Sequence, residues 1–240
     1  EEDLSVGGKV ARDLLQILKN LVGNATCQRY IRESECLASL VAALSAAVSG
    51  PSDDGGYVDG LGYVDAVGRP DLSEEVRWKC LTLMTDVALA LVGSTVGGEE
   101  SEANPEAAAN QDALVRAGVL GLCGHLSEAR VELPAKLKLV ELLNAFAENR
   151  LAAQVLQSFK RGSPPICTIT SVLVQPGTPL PLRSAVGRFA SRAIARHEDL
   201  QSFLCSSLSP QLDLSDGELP PPGQQIVHLI KRVVAGHCEP

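Results

Sequence analysis

Apolar positions along the chain fall into windows with helical spacing, and the windows recur in a fixed order. The first block reads VARDLLQILKNLVGN (10–24), ATCQRYIRESE (25–35) and CLASLVAALSAAV (36–48). Apolar residues return every three or four positions, which predicts a long amphipathic helix, a short helix and a medium, more apolar helix. The order long, short, medium then returns. Ser73–Val92 is long, Asn110–Gly118 short and Val119–Leu126 medium, and Glu132–Asn149 is long again. LAAQVLQSF and PPICTITSVLV follow, the latter with Pro164 and Pro165 at a helix start, where a missing N–H costs little. LRSAVGRFASRAIAR, EDLQSFLCSSL and a last long window, GQQIVHLIKRVVAG, complete the chain. The pattern predicts an all-α protein.

Asn20, Asp86, Asn144, Arg192 and Arg232 occupy equivalent positions in the long windows, at intervals of 66, 58, 48 and 40 residues. Only the last two intervals approach the roughly 40 to 47 residues of a two- or three-helix repeat. The excess lies in segments 49–72 and 93–108, which are rich in Gly, Pro, Ser and acids and read as insertions. With those 24 and 16 residues set aside, both earlier intervals become 42. A unit of that size cannot bury its apolar faces alone, so such units must stack.

In Asp13–Leu44, a helix ending L-x-N-L is followed by a short helix carrying Ile31 and then an L-x-x-L-V-x-x-L helix. This resembles the armadillo repeats, a branch of the α-solenoids: the third helix of one repeat runs into the first two of the next. Asn110–Leu126, with Gly118 at the turn between short and medium helices, and Lys136–Asn149 echo it more weakly. The resemblance implies a right-handed α-solenoid of about four armadillo-like repeats, one domain over 1–240 with two acidic Gly/Pro-rich insertions. The pattern departs after Ser209, where 209–223 reads as an irregular Pro-rich connector. The first long helix has no short and medium helices before it, so either a helical portion is missing upstream or this helix is a cap. With no initiator Met, a fragment is the expectation.

The armadillo resemblance also implies a groove lined by the long helices, where residues four apart share a face. It selects Gln16 and Asn20, Thr82 and Asp86, Val140 and Asn144, Arg188 and Arg192, and His228 and Arg232. Amides at Asn20 and Asn144 would hold the backbone of an extended peptide, since an amide both donates and accepts. No Trp stands four residues before Asn20, Asp86, Asn144, Arg192 or Arg232, so the Trp-Asn array of nuclear-import receptors is absent and basic import signals are not the expected ligand. Arg188, Arg192 and Arg196 form one stripe at i, i+4 and i+8, and their planar forks suit carboxylate or phosphate.

Composition narrows the functions. The net charge is −8 and the pI about 5.1, the wrong sign for a protein that mainly neutralises phosphates. The two insertions carry nine acids against Arg69 alone, so the helical remainder is close to neutral and the arginine stripe stands out. No stretch is long enough to span a bilayer, and neither a basic leader nor nucleic-acid binding is expected. Seven cysteines, never in C-x-x-C spacing, predict buried thiols in the cytosol or nucleus rather than disulfides or zinc. The tandem GGYVDG and LGYVDA in 49–72 fails the EF-hand spacing and reads as an acidic loop or docking segment. No catalytic signature, metal site or cofactor motif is present in the sequence. The expectation is a non-catalytic scaffold or adaptor that binds an extended or helical segment of another protein, acidic or phosphorylated segments included. The alternative is a co-chaperone or nucleotide-exchange type of regulator that embraces a folded ATPase or GTPase.

Overall fold

The computed structural model of the chain describes residues 6–49, 74–93, 106–158 and 164–206, and residue 227. All regular elements among the described residues are helical. They are α1 (Val6–Leu21), α2 (Ala25–Glu33), α3 (Cys36–Ser49), α4 (Glu74–Leu91), α5 (Ala107–Arg116), a 3₁₀ segment (Val119–Leu126), α6 (Leu133–Asn144), α7 (Arg150–Leu156), α8 (Pro165–Val174), α9 (Leu180–Arg196) and α10 (Glu198–Ser206). No described helix is long and apolar enough to cross a membrane. Residues 50–73 and 94–105, which cover most of the two insertions, the connector 209–223 and all of the last predicted helix but residue 227 lie outside the described residues.

Local sequence sets the boundaries. Asn24 has extended backbone, and its side-chain oxygen accepts from the N–H groups of Thr26 and Cys27, capping α2. Asn149 caps α7 in the same way through the N–H of Ala152. Pro134, Pro165 and Pro181 sit in first turns, where no donor is lost. Helix α5 begins at Ala107, with Glu106 just before it, so the short helix starts three residues earlier than the periodicity predicted and the second insertion ends sooner.

The medium window 119–126 is a 3₁₀ helix rather than an α-helix, and the glycines explain it. Gly118, Gly121 and Gly124 recur every third residue, matching three residues per turn, and all three are exposed while Val119, Leu120, Leu122, Cys123 and Leu126 are buried. The predicted long helix 132–149 likewise ends its α-helical part at Asn144. It continues as tighter turns in which Ala145, Phe146 and Ala147 donate to carbonyls three residues back.

Like packs on like. Helix α1 packs on α4, α4 on α6 and α6 on α9, which forms a row of long helices. Helix α3 packs on the 3₁₀ segment, which packs on α8. The short helices make a third row in which α2 meets α5, α5 meets α7 and α7 meets α10. One continuous cluster of buried side chains runs between the rows, with Leu44, Leu81, Met84, Leu114, Leu139, Phe146 and Phe189 fully enclosed. Each such Leu or Phe contributes roughly 1.5 to 3 kcal/mol on burial.

Gly118 holds the α5-to-3₁₀ turn with φ +96°, and a Cβ there would meet nothing within 4 Å. Gly118→Ala is therefore expected to cost about 1 to 2 kcal/mol through backbone conformation alone. Gly121→Ala, equally open but without positive φ, should be neutral or slightly stabilising by urea denaturation. Equal effects at the two sites would contradict this reading.

Candidate functional site

Two kinds of polar contact fix how successive helices meet, and both are repeated. The fourth residue of three short helices is an amide that donates to a carbonyl at the end of the preceding long helix. Gln28 donates to Val22 O (2.6 Å), Asn110 to Leu91 O (2.8 Å) and Gln201 to Ile194 O (2.8 Å). Carbonyls in the last turn of a helix lack the usual partner four residues on; Gln28 and Asn110 supply a donor from inside the core, whereas Gln201 is exposed and Ile194 O also accepts from the N–H of His197. Asn110 is fully buried, and its side chain also donates to Gln28 Oε1 (2.9 Å).

The residue before each later short helix reaches back to the layer before it. Glu106 accepts from Arg32 (2.7 Å) and Arg29 (3.0 Å) on α2. Asn149 donates to Asp112 on α5 (2.9 Å). His197 Nε2 lies 3.2 Å from Ala147 O. Hydrogen bonds from Arg32 and Arg29 hold the Glu106 carboxyl below its usual range, and Glu106 in turn raises Arg29.

With the frame fixed, the predicted groove residues take definite places along the long-helix row. Gln16 and Asn20 are exposed on α1, and Gln16 Nε2 donates to Asn20 Oδ1 at 3.3 Å. Asp86 on α4 is half-buried and accepts from Lys19 Nζ at 2.7 Å, an ion pair that bridges α1 and α4. Thr82 donates back to Trp78 O. Asn144 is half-buried and donates to Val140 O at 2.9 Å, so its N–H₂ is partly engaged by its own helix. Val140 is only 1% exposed; the four-residue spacing that put it beside Asn144 on the groove floor turns it into the core instead.

Arg188, Arg192 and Arg196 are all exposed on α9. Arg188 donates to Ser184 Oγ (3.0 Å) and Arg192 to Glu148 just beyond α6 (3.1 Å), joining those two long helices as Lys19 and Asp86 join the first two. His228 and Arg232 lie outside the described residues, as do Tyr57, Tyr63 and their acidic neighbours. The structure thus gathers Asn20 and Asp86 on adjoining helices at one end of the row, and Asn144, Arg188 and Arg192 on adjoining helices at the other.

The thiols divide. Cys80 and Cys123 are buried, and burial pushes both up, Cys123 to about 12. Cys36 and Cys205 are exposed, contrary to the expectation of uniformly buried thiols, because each stands near a helix end on a solvent face.

Several polar groups were invisible to sequence reasoning. His125 Nε2 lies 2.8 Å from Ser45 Oγ, and Nδ1 lies 2.7 Å from Glu128 Oε1, whose other oxygen accepts from Arg130. In the neutral imidazole the carboxylate favours the tautomer with hydrogen on Nδ1, which leaves Nε2 to accept from Ser45. Hydroxyl, imidazole and carboxylate stand in the order of an activated nucleophile. Ser45, however, sits mid-way along α3, where neighbouring N–H groups are engaged in helix bonds, so its own turn offers no oxyanion donor. The chain of bonds ties α3 to the 3₁₀ segment. No single-sequence signal connects residues 80 apart in this way.

No family model, curated protein or solved structure matches this chain.

Replacing Glu106 tests the layer-to-layer contact. A depressed carboxyl contributes stability above its unfolded value near 4.5 and loses it as pH falls through the lower folded value. Wild type is expected to exceed Glu106→Gln in urea midpoint by a constant margin at pH 7 to 5. That margin should close as the pH is taken toward 3, and a gap that does not change with pH would contradict it.

Proposed function

We propose that the three rows constitute a right-handed α-solenoid of about four armadillo-like repeats, and that the protein is a non-catalytic scaffold or adaptor. It binds a segment of another protein along the long-helix row. Each repeat on this reading is a short, medium and long helix, namely α2, α3 and α4, then α5, the 3₁₀ segment and α6, then α7, α8 and α9. Helix α1 precedes these triplets and α10 begins the next.

The observation that supports the reading is the packing of like on like, which sets successive long helices side by side; on this reading Gln16, Asn20, Asp86, Asn144, Arg188 and Arg192 make a polar strip along the row. Gln16 and Asn20 offer amides at one end, and Arg188, Arg192 and Arg196 offer guanidinium groups at the other. The lateral ion pairs Lys19 with Asp86 and Arg192 with Glu148 hold the strip's edges in register, yet they are partly exposed and exchange readily for a ligand's charges. A segment with acidic or phosphorylated residues toward the α9 end fits this polarity. The absence of an oxyanion donor in Ser45's own turn favours binding over catalysis.

The test is capture by the full chain from cytosol, compared with the Arg188→Glu/Arg192→Glu variant. Both sites are exposed, so the denaturation midpoint should move by less than about 0.5 kcal/mol equivalent. The variant should lose the captured protein, and a short segment excised from that protein should retain binding to the wild type. Undiminished capture, or binding that requires the whole folded partner, would overturn the proposal.

A further inference from the structure

Helix α1 is apolar on two adjoining faces. Ala11, Leu15, Leu18 and Val22 turn inward, buried or packed on the core. Val10, Leu14, Ile17 and Leu21 lie one residue earlier in each turn and are 52%, 42%, 56% and 46% exposed. These four make up most of the large apolar side chains left in solvent among the described residues; the others, Tyr30 and Leu180, stand on different helices. Their spacing of four, three and four is that of a helix-pairing seam. Helices α4 and α6 each have a long-helix neighbour on both sides, whereas α1 has only α4 among the described residues. The stripe therefore lies on a long helix that has, among the described residues, one long-helix neighbour where α4 and α6 have two.

We propose that this stripe pairs with the same stripe of a second copy, α1 against α1, antiparallel about a two-fold axis between Leu14 and Ile17. A seam of this spacing is complementary to itself when reversed, since Val10 falls opposite Leu21 of the second copy and Leu14 opposite its Ile17. Each layer occurs twice, as an isologous contact requires. The flanks raise no charge conflict. Ala11 and Leu18 border one side of the seam. Asp13 and Asn20 border the other, and Asp13 is neutralised by Arg12 at 2.9 Å. Reversal sets Asp13 toward the amide of Asn20 in the second copy, with no like charges facing.

The area fixes the strength. Four half-exposed aliphatic side chains offer on the order of 300 Å² per copy, against about 800 Å² per partner in a standard stable complex. The pairing is weak and reversible, and it is a surface distinct from the polar strip of the long-helix row.

Sedimentation velocity of the whole chain tests it. The weight-average mass should rise from 25.3 kDa toward twice that value between about 10 and several hundred micromolar. Leu14→Gln/Ile17→Gln, at two exposed positions, should remain at monomer mass throughout with an unchanged denaturation midpoint. Direction is read by mild oxidation of a mixture of Val10→Cys and Leu21→Cys chains, with linked peptides identified by mass spectrometry. A disulfide joining positions 10 and 21 is expected, and the Val10→Cys chain alone should form no 10-to-10 link. Position 10 and position 21 are three helical turns apart within one chain, so the link reports only on two copies. A mass independent of concentration overturns the proposal and leaves the stripe to a different occupant. So does association that survives the double Gln variant, or a 10-to-10 link that forms as readily as the mixed one.

Discussion

The arrangement depends on how the C-termini of the long helices are satisfied inside the stack. A helix ends with carbonyls that lack partners, and these ends sit where the chain must turn into the next short helix. Gln28, Asn110 and Gln201 solve the problem from the same position of the short helix, each donating to the long helix before it. For Gln28 and Asn110, which are buried, one contact therefore satisfies the polar group and ties two helices together. Asn110 does so after an insertion, reaching Leu91 from 19 residues away. Helix α7 carries Ala153 at the equivalent position and has no amide to give. There the preceding long helix stops at Asn144 and tightens, and residues 145–147 and 149 donate to carbonyls three back instead. The shorter α6, with 12 residues against 16 to 18 in the other three long helices, follows from that difference.

The frame also shapes the surface of the long-helix row, the surface proposed for a partner. With short-helix amides holding the turns and Glu106, Asn149 and His197 holding one layer to the next, the long helices are positioned without demands on their outer residues. Those outer residues are free to carry charge, and the pairs that form among them are lateral and half-solvated, of the kind worth about 1 kcal/mol or less. Such pairs can be exchanged at little cost to stability, as the proposed binding requires. The buried polar contacts cannot, which separates the residues that hold the fold from those the proposal assigns to recognition.

Much of the helical order was legible in the sequence because it rests on short-range periodicity. The long, short, medium succession, the cap prolines of α8 and the turn at Gly118 all follow from local residue types. The 3₁₀ character of 119–126 was also written there, in glycines at every third position, but was masked by the apolar content between them. What could not be read were the contacts that bring distant residues together. Lys19 and Asp86 are 67 apart, Arg32 and Asn110 are 78 apart, and Ser45 and His125 are 80 apart. Each crosses an insertion of unpredictable length, so no spacing rule applies. Val140 shows the limit at close range: four residues from Asn144 it shares a helix side, yet a rotation of a few tens of degrees carries its aliphatic side chain into the core.

The most direct test is a double-mutant cycle on Gln28 and Asn110, measured by urea denaturation. Their side chains meet at 2.9 Å while each also holds the end of a different long helix. If these amides set the layers, the two Ala substitutions should be strongly non-additive, with a coupling energy of about 1 kcal/mol or more. Additivity within roughly 0.3 kcal/mol would show that the two ends are satisfied independently and would contradict the account.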